Sequence, residues 1–410
     1  MSTPIQGLRG TGQFDTTFRP RNYRELFTLL EPSGNAPLNA LLAMGQSEST
    51  NDPAFRNFRD ELPERVMTVN TANTAGNSPI VLVDDAENKF AINGAIVVNG
   101  RTGEVMHVTA DYGSDGQNLA VTRNIGDAVD ADANAAGVQI PDVNVGDKLF
   151  IAGFAAQEGA DTPTAVSFDA IMVENFCQIF RTSFSVTGTQ NSTYLRTGDK
   201  QDEARVKALK LHMSDIERAM FFGAKNEAGG NTNQPRRFTG GLFNSLSNKY
   251  DISAANAGVN ANATKMTEEE FDLLLTETIF KFGSNSKIAF VGAKVANHLQ
   301  QFGKDRWQPT QVEGAYGVNL TRYSTFAGDL MVHLHPQFRQ IPGMDTAMVI
   351  VDFPYLSYRY LEGRDTQLLE GRQNPGADTE VSEYLTECGL ELMQDKVHAV
   401  IEGWSSRAAS

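Results

Sequence analysis

The sequence predicts an α+β protein in which one long helix and a mixed lobe accompany a small all-β insertion domain. Three observations lead there. The run "TGDKQDEARVKALKLHMSDIERAMFFG", residues 197–223, reads as a single uninterrupted helix. Short alternating apolar runs divided by Asn-Gly, Thr-Gly and Gly-Asp pairs crowd the region from about 61 to 190, and such pairs mark tight turns between strands. Between Asp84 and Glu158 there are twelve acids against four bases, a net −8 within a chain of net −15, and a step of that size marks a separate module.

A chain of 410 residues, 40% of them hydrophobic, is long enough to fill more than one core. No run of eighteen apolar residues is present, which argues against a spanning helix, and no membrane partner is expected. The opening "MSTPIQGLRG" has no apolar stretch of the secretory kind. Cys177 and Cys388 are too few for a disulfide framework and suit a reducing compartment. The sequons at Asn191, Asn262 and Asn319 then carry no glycan. The negative total argues against a general nucleic-acid binder, since phosphate contacts need surplus cations.

Taken in order, the first thirty residues mix Gly, Thr and Pro, with four arginines (Arg9, Arg19, Arg21, Arg24) against Asp15 alone up to Arg24, and read as an extended arm with a short helix at Tyr23–Leu30. "PLNALLAMG" (37–45) is a second short helix, with Pro in its first turn and Gly at its end. "ERVMTVN" is strand-like. The acidic module follows with "SPIVLVDD", "AIVVNGRTGEVMHVTAD", "NLAVTRNI" and "DKLFIAGFA", enough for a small barrel or sandwich. "NFCQIFRTSFSVTG" alternates through Phe176, Ile179 and Phe184.

In the long helix, Thr197 or Asp199 can cap the start, and Val206, Leu209, Met213, Ile216 and Met220 form one narrow stripe. Thr267 and Glu270 form a capping box for "TEEEFDLLLTETIFKFG", whose buried face is Phe271, Leu274, Leu275, Ile279 and Phe282. "KIAFVG", the helix "AKVANHLQQFG" and further strands complete a mixed lobe. The chain closes with an expected hairpin, "EYLTECGLELMQDKVHAVIEGW", turning at Gln394-Asp395.

Enzyme signatures are absent: no nucleophile elbow, no Walker loop, no H-E-x-x-H and no C-x-x-C. His333 and His335 share a strand face but lack a third ligand in sequence. "DADANA" spaces Asp130, Asp132 and Asn134 like a calcium loop, but Ala135 stands where the turn glycine belongs and Pro141 where the bidentate Glu does. No catalytic residue, cofactor or metal is therefore assigned, and the protein is expected not to be an enzyme.

The ordering of parts, with "PLNALLAMG" then "FRDEL", "TGEVMHVT" with "VGDKLFIAGFAAQEG", "QIFRTSFSVTGTQNS" leading into "DIERAMFFGAKN", "RFTGGL", and the closing "EYLTECGLELMQDKVHAVIEGW", resembles the major capsid proteins of tailed bacteriophages with the Hong Kong 97-type fold. The resemblance covers nearly the whole chain. It implies an N-terminal arm over 1–60; an extended loop region over 61–190 carrying the insertion at about 84–158; a peripheral domain over 191–239 with the spine helix at 199–223; an axial domain over 240–365; and a return hairpin over 366–410.

The same resemblance implies a shell subunit that assembles through pentamers and hexamers into the icosahedral head enclosing double-stranded DNA. The site residues are then intersubunit contacts: Arg19, Arg21 and Arg24 in the arm, and Phe180, Arg181 and Phe184 on the strand before the spine. Portal protein, scaffolding and cement proteins are the implied partners, with DNA held without sequence-specific contact. The virion is the implied location, assembled in the bacterial host cytoplasm. Lys89 lies at no position matching a Lys–Asn crosslink, so noncovalent shells are expected. The alternatives are an encapsulin-like compartment of the same fold and a β-rich decoration or adhesion protein. The second leaves the spine helix and closing strands unexplained.

Overall fold

The computed structural model describes residues 36–73, 79–113, 118–125, 140–193, 200–231, 234–252, 266–302, 307–308 and 321–404. The arm arginines Arg19, Arg21 and Arg24, the helix expected at Tyr23–Leu30, the "DADANA" loop and the caps Thr197 and Asp199 lie outside these residues. The chain divides into two compact units, one built from 1–57 and 172–410, the other from Phe58–Ile171.

In the larger unit the long helix spans Lys200–Phe222. Asp202 and Glu203 sit in its first turn, where the partial positive charge of unpaired amides favours them. The helix packs across a sheet in which Thr379–Leu392 is central, with Gln178–Thr187 antiparallel on one side and Leu356–Leu361 and Gln367–Leu369 on the other. Ser47–Thr50 joins in parallel outside Leu356–Leu361. The central strand is buried over eleven consecutive residues, as a strand covered on both faces must be.

A second sheet of this unit runs in the order Lys249–Asp251, Ala399–Glu402, Met348–Val351, Ser286–Val291, Asp329–Leu334, Thr321–Ser324, Trp307–Gln308. Met348–Val351 is buried at every position, consistent with its interior place. The helix Glu268–Leu274 begins with the expected capping box, Thr267 and Glu270 each bonding the other's backbone amide. It continues as a π-turn, Leu275–Ile279. Of the expected buried face, Phe271, Leu274, Leu275 and Ile279 are buried, but Phe282 lies past the helix end and is exposed.

The closing segment is not a hairpin. Both hydrogen-bonding edges of Thr379–Leu392 are occupied, by Gln178–Thr187 on one side and Leu356–Leu361 on the other. Ala399–Glu402 therefore pairs elsewhere, between Lys249–Asp251 and Met348–Val351 of the second sheet. The turn at Gln394-Asp395 carries the chain from one sheet to the other.

The smaller unit is wider than the acidic stretch. Val66–Thr68 pairs with Lys148–Phe150, and Met67 and Val69 are buried in this unit's core, so the "ERVMTVN" strand belongs to it. Its main sheet is ordered Val66–Thr68, Lys148–Phe154, Ala95–Asn99, Val105–Val108, Val121–Thr122, and a two-stranded sheet joins Ile80–Val81 to Asn118–Leu119. The strands that pair where the chain crosses between units are Ala54–Arg59 and Ile171–Phe176. Gln178–Thr187 is instead taken up by the sheet under the long helix.

Candidate assembly surfaces

The long helix buries a polar stripe as well as an apolar one. Ile216 and Met220 face the core as expected, but Val206 is 53% exposed, and the buried positions Ala208, His212, Glu217 and Phe221 complete the face. His212 lies between two strands, with Nδ1 3.0 Å from Thr182 Oγ1 and Nε2 2.7 Å from Thr386 Oγ1. Burial pushes its pKa below the ordinary histidine value, partly offset by Asp215, so the ring is neutral and each hydroxyl completes one of its nitrogens.

Glu217 performs a different task. The helix Pro37–Gly45 has no side-chain cap of its own. Glu217 supplies one from the long helix: Leu38 N–H donates to Oε1 at 2.9 Å and Asn39 N–H to Oε2 at 2.7 Å. His335 closes the set. Its Nδ1 accepts from Gln337 N–H, so Nε2 carries the proton and lies 2.9 Å from Glu217 Oε1. A fully buried carboxylate is tolerated here because three donors and a helix N-terminus surround it. The first turn of Pro37–Gly45 is thereby tied to the long helix. His335 is thus a structural partner, and His333 packs edge-on to Phe290 at 6.0 Å. Among the described residues no group of three or more His, Cys, Asp or Glu could hold a metal.

The opposite face of the sheet carries a row of carboxylates. Alternation places Glu383, Glu387 and Glu391 on one side of the central strand, all buried. Each lies beneath an arginine reaching in from a neighbouring segment. Arg181 Nη2 lies 2.6 Å from Glu383, with Arg372 at 3.5 Å; Arg364 lies 2.6 Å from Glu387; Arg359 lies 2.5 Å from Glu391 and 2.6 Å from Glu48. The side chains of Arg181, Arg372 and Arg364 remain partly open to solvent, Arg181 at 61%.

The three described contact residues proposed from sequence separate accordingly. Phe180 faces the main core and is committed within the chain. Phe184 is half-buried, its ring 6.1 Å from that of Tyr384. Arg181 points outward beside Ile179, which is 53% exposed. Sequence reasoning missed Glu217 and the glutamate row. The second was legible, since "SEYLTECGLEL" sets glutamates four apart in a strand, and even spacing puts all three on one face.

At Gly389, where a Cβ would sit 2.5 Å from the Phe176 carbonyl oxygen and 2.9 Å from the Phe55 ring, the strands Ala54–Arg59 and Ile171–Phe176 press onto the sheet. Arg56 and Lys225 both bind Glu174 beside this point, Lys225 acting first in holding that carboxyl below its usual range. Cys177 and Cys388 are buried free thiols. Burial pushes Cys177 up to about 12 and raises Cys388 as well, so neither is a nucleophile at neutral pH.

The smaller unit is held by two charge clusters. Asp147 receives Arg101 in bidentate fashion at 2.7 and 2.8 Å, with Asn99 Nδ2 at 3.0 Å and Asn144 N–H at 2.9 Å. The Arg101 hydrogen bonds hold its carboxyl well below the ordinary range. Arg123 and Glu104 form a second pair, both buried, at 2.6 and 2.7 Å, and Arg123 also donates to Pro141 O at 2.6 Å. Lys89 lies in the short helical turn Ala86–Phe90 of this unit. Among the described residues no helix is long and apolar enough to cross a membrane.

The family described as SU10 major capsid protein matches residues 10–405 of this chain. The major capsid protein of Pseudomonas phage PaMx41 is 28% identical over 421 aligned positions, spanning 96% of this chain and 95% of that one. Among solved structures, the capsid of a native GTA particle is similar over 97% of this chain and 98% of its own, at 7% identity and a TM-score of 0.45. The holo-SrpI encapsulin complex from Synechococcus elongatus is similar over 59% of this chain and 80% of its own, at 13% identity and a TM-score of 0.37.

Proposed function

This chain belongs to the SU10 major capsid protein family, and on that premise we propose that its copies assemble through pentamers and hexamers into the icosahedral head of a tailed phage around packaged double-stranded DNA. The family match over nearly the whole chain carries the reading. The internal arrangement supports it. The long helix is a stiff rod of roughly 35 Å at 1.5 Å per residue, clamped by Glu217 to the first turn of Pro37–Gly45. The lobe around the second sheet would be the axial domain and the helix-bearing sheet the peripheral domain. Ala54–Arg59 and Ile171–Phe176 would form the stem of the extended loop.

The arginine-covered face with Arg181, together with Arg19, Arg21 and Arg24 of the arm, would contact neighbouring copies. Portal, scaffolding and cement proteins would be further partners, and assembly would take place in the host cytoplasm. Shells would be noncovalent. A strongly cationic inner wall would hold a genome too tightly for release, and a chain of net −15 is suited to looser containment. Negative-stain microscopy of the purified chain tests assembly directly: closed round or angular particles of uniform size are expected, and a population of monomers under all assembly conditions would refute it. Ladders of covalent oligomers on denaturing gels would refute the noncovalent shell.

A further inference from the structure

The smaller unit contains an open cleft of about 650 Å³, within the range that holds small ligands. Its wall is made by a backbone irregularity. Ala95–Asn99 pairs with Lys148–Phe154, but the register shifts so that Val97 opposes Ile151 while Ile96 opposes Gly153, leaving Ala152 as an extra residue. A bulge of this kind reverses the alternation beyond it and re-aims the next side chains. Phe154 consequently falls opposite Ala95, on the face that carries the buried Val97, rather than on the outer face with Phe150. Although the Ala95 opposite it is buried in the core, the ring itself is left 44% exposed. Gly94, with φ +94°, gives the ring its seat: a Cβ there would lie 2.8 Å from two ring carbons.

Polar groups share the lining of the cleft with this ring. Asp111 is fixed by Asn93 N–H at 2.7 Å and Thr164 Oγ1 at 2.6 Å, and the Thr164 hydroxyl is the larger cause of its lowered pKa. His107, Gln157 and Asp161 complete the lining. The chemistry narrows the ligand. Two carboxylates disfavour phosphates, nucleic acid and acidic glycans. The described residues include no metal-holding group. A part-exposed aromatic ring lining the same cleft as side chains that donate and accept hydrogen bonds fits a molecule with one apolar C–H face and a rim of hydroxyls.

We propose that this cleft binds a neutral saccharide, with Phe154 as the stacking platform and Asp111 and Gln157 bonding the hydroxyls. This goes beyond the shell reading and does not depend on it, because the cleft is built wholly within residues 93–164. The test applies the soluble full-length chain, and separately its assembled particles, to a printed array of neutral and acidic oligosaccharides. Binding to a subset of neutral glycans is expected, retained in Phe154→Tyr and weakened at least tenfold in Phe154→Leu, which keeps apolar bulk without the ring. Hydrogen exchange over residues 95–108 verifies that each variant is folded. Signal no higher than background, signal confined to acidic glycans, or equal binding by the Tyr and Leu variants would overturn the assignment. Microscopy of the same preparations reads particle formation independently, so a silent array leaves the capsid reading intact and a failed assembly leaves the cleft testable.

Discussion

The two units solve the same packing problem with different materials. The main core of the larger unit is crowded with rings: Phe221 lies edge-on to Phe290 at 5.6 Å and to Phe338 at 5.1 Å, with Phe243 and Tyr358 in the same cluster. The core of the smaller unit is formed by Met67, Val69, Ile80, Leu82, Val97, Met106, Val108 and similar residues, with no buried Phe or Trp among the described residues. A thin aliphatic core buries less surface per residue, and the remaining order comes from Arg123–Glu104 and Arg101–Asp147 tying loops to strands. The difference teaches that one unit should fail through lost volume and the other through lost charge.

The largest effects should come from the centre of each solution. Phe221→Ala removes the ring at the hub of the aromatic cluster and should cost about 3–5 kcal/mol, read as an early unfolding transition by Trp fluorescence. Both tryptophans, Trp307 and Trp404, belong to the larger unit, and Trp404 is fully buried there, so the signal reports that unit alone. Arg123→Ala leaves Glu104 buried without its partner and should cost roughly 3–5 kcal/mol in the smaller unit, seen as accelerated hydrogen exchange over residues 95–122 with the Trp transition unmoved. Replacing both partners together, with Arg123→Met and Glu104→Leu, should recover most of that loss. If the double variant were as unstable as the single one, the pair would be more than an electrostatic strut.

Glu217→Ala comes next. It strips two backbone donors and His335 of their acceptor at once, and should cost about 2–4 kcal/mol, with the first turn of Pro37–Gly45 exchanging fastest. Glu217→Gln keeps an oxygen for one amide and should lose about half as much. Equal exchange in that turn for wild type and the alanine variant would show that the helix is held by Leu38 and Leu42 alone.

Much of this was legible beforehand, and the failures have a common cause. The short helix at 37–45, the capping box, the turns of the insertion and the long helix were all local signals, set by spacing and by Gly, Pro, Thr and Glu at element ends. What escaped depended on partners far away in sequence. Glu217 reads as an ordinary solvent-facing residue until the amides of Leu38 and Asn39 are placed beside it. The closing strands look like a hairpin until Gln178–Thr187 and Leu356–Leu361 are found on both edges of the first of them. Val206 fits an apolar stripe by spacing, yet the first residues of the helix to be buried are Ala208 and His212. The glycine-seated ring of Phe154 was hidden because a bulge has no reliable local signature.

Smaller effects should appear with pH, and they divide the units again. Asp147 has a folded pKa below its unfolded value, so its contribution is complete above the ordinary carboxylate range and fades as pH falls through the folded value. Arg101→Met should let that carboxyl protonate earlier and move the acid unfolding of the smaller unit to higher pH, while Asp147→Asn should flatten the dependence. An acid midpoint unchanged in Arg101→Met would remove Asp147 as its cause.

The larger unit should show a slope of the same sign, but at the alkaline end. Lys287 is wholly buried, and its ammonium donates to the carbonyls of Ile279, Phe282 and Val397 at 2.7, 2.8 and 2.7 Å, sealing the end of the π-turn. Burial pushes its pKa down to about 8, with Asp352 pulling weakly the other way. Because the folded value lies below the unfolded 10.5, the unfolded chain binds the extra proton between them, and this lysine alone makes stability rise with pH from about 8 to 10.5. The buried thiol of Cys177 acts oppositely above its ordinary value of 9, so the rise should be clearest between pH 8 and 9. Comparing wild type with Lys287→Met by Trp-detected denaturation isolates the lysine: the gap between them should vary with pH in that window. A gap constant from pH 7 to 9 would mean that the three carbonyls hold the ammonium charged throughout, and that hydrogen bonding outweighs desolvation at this site.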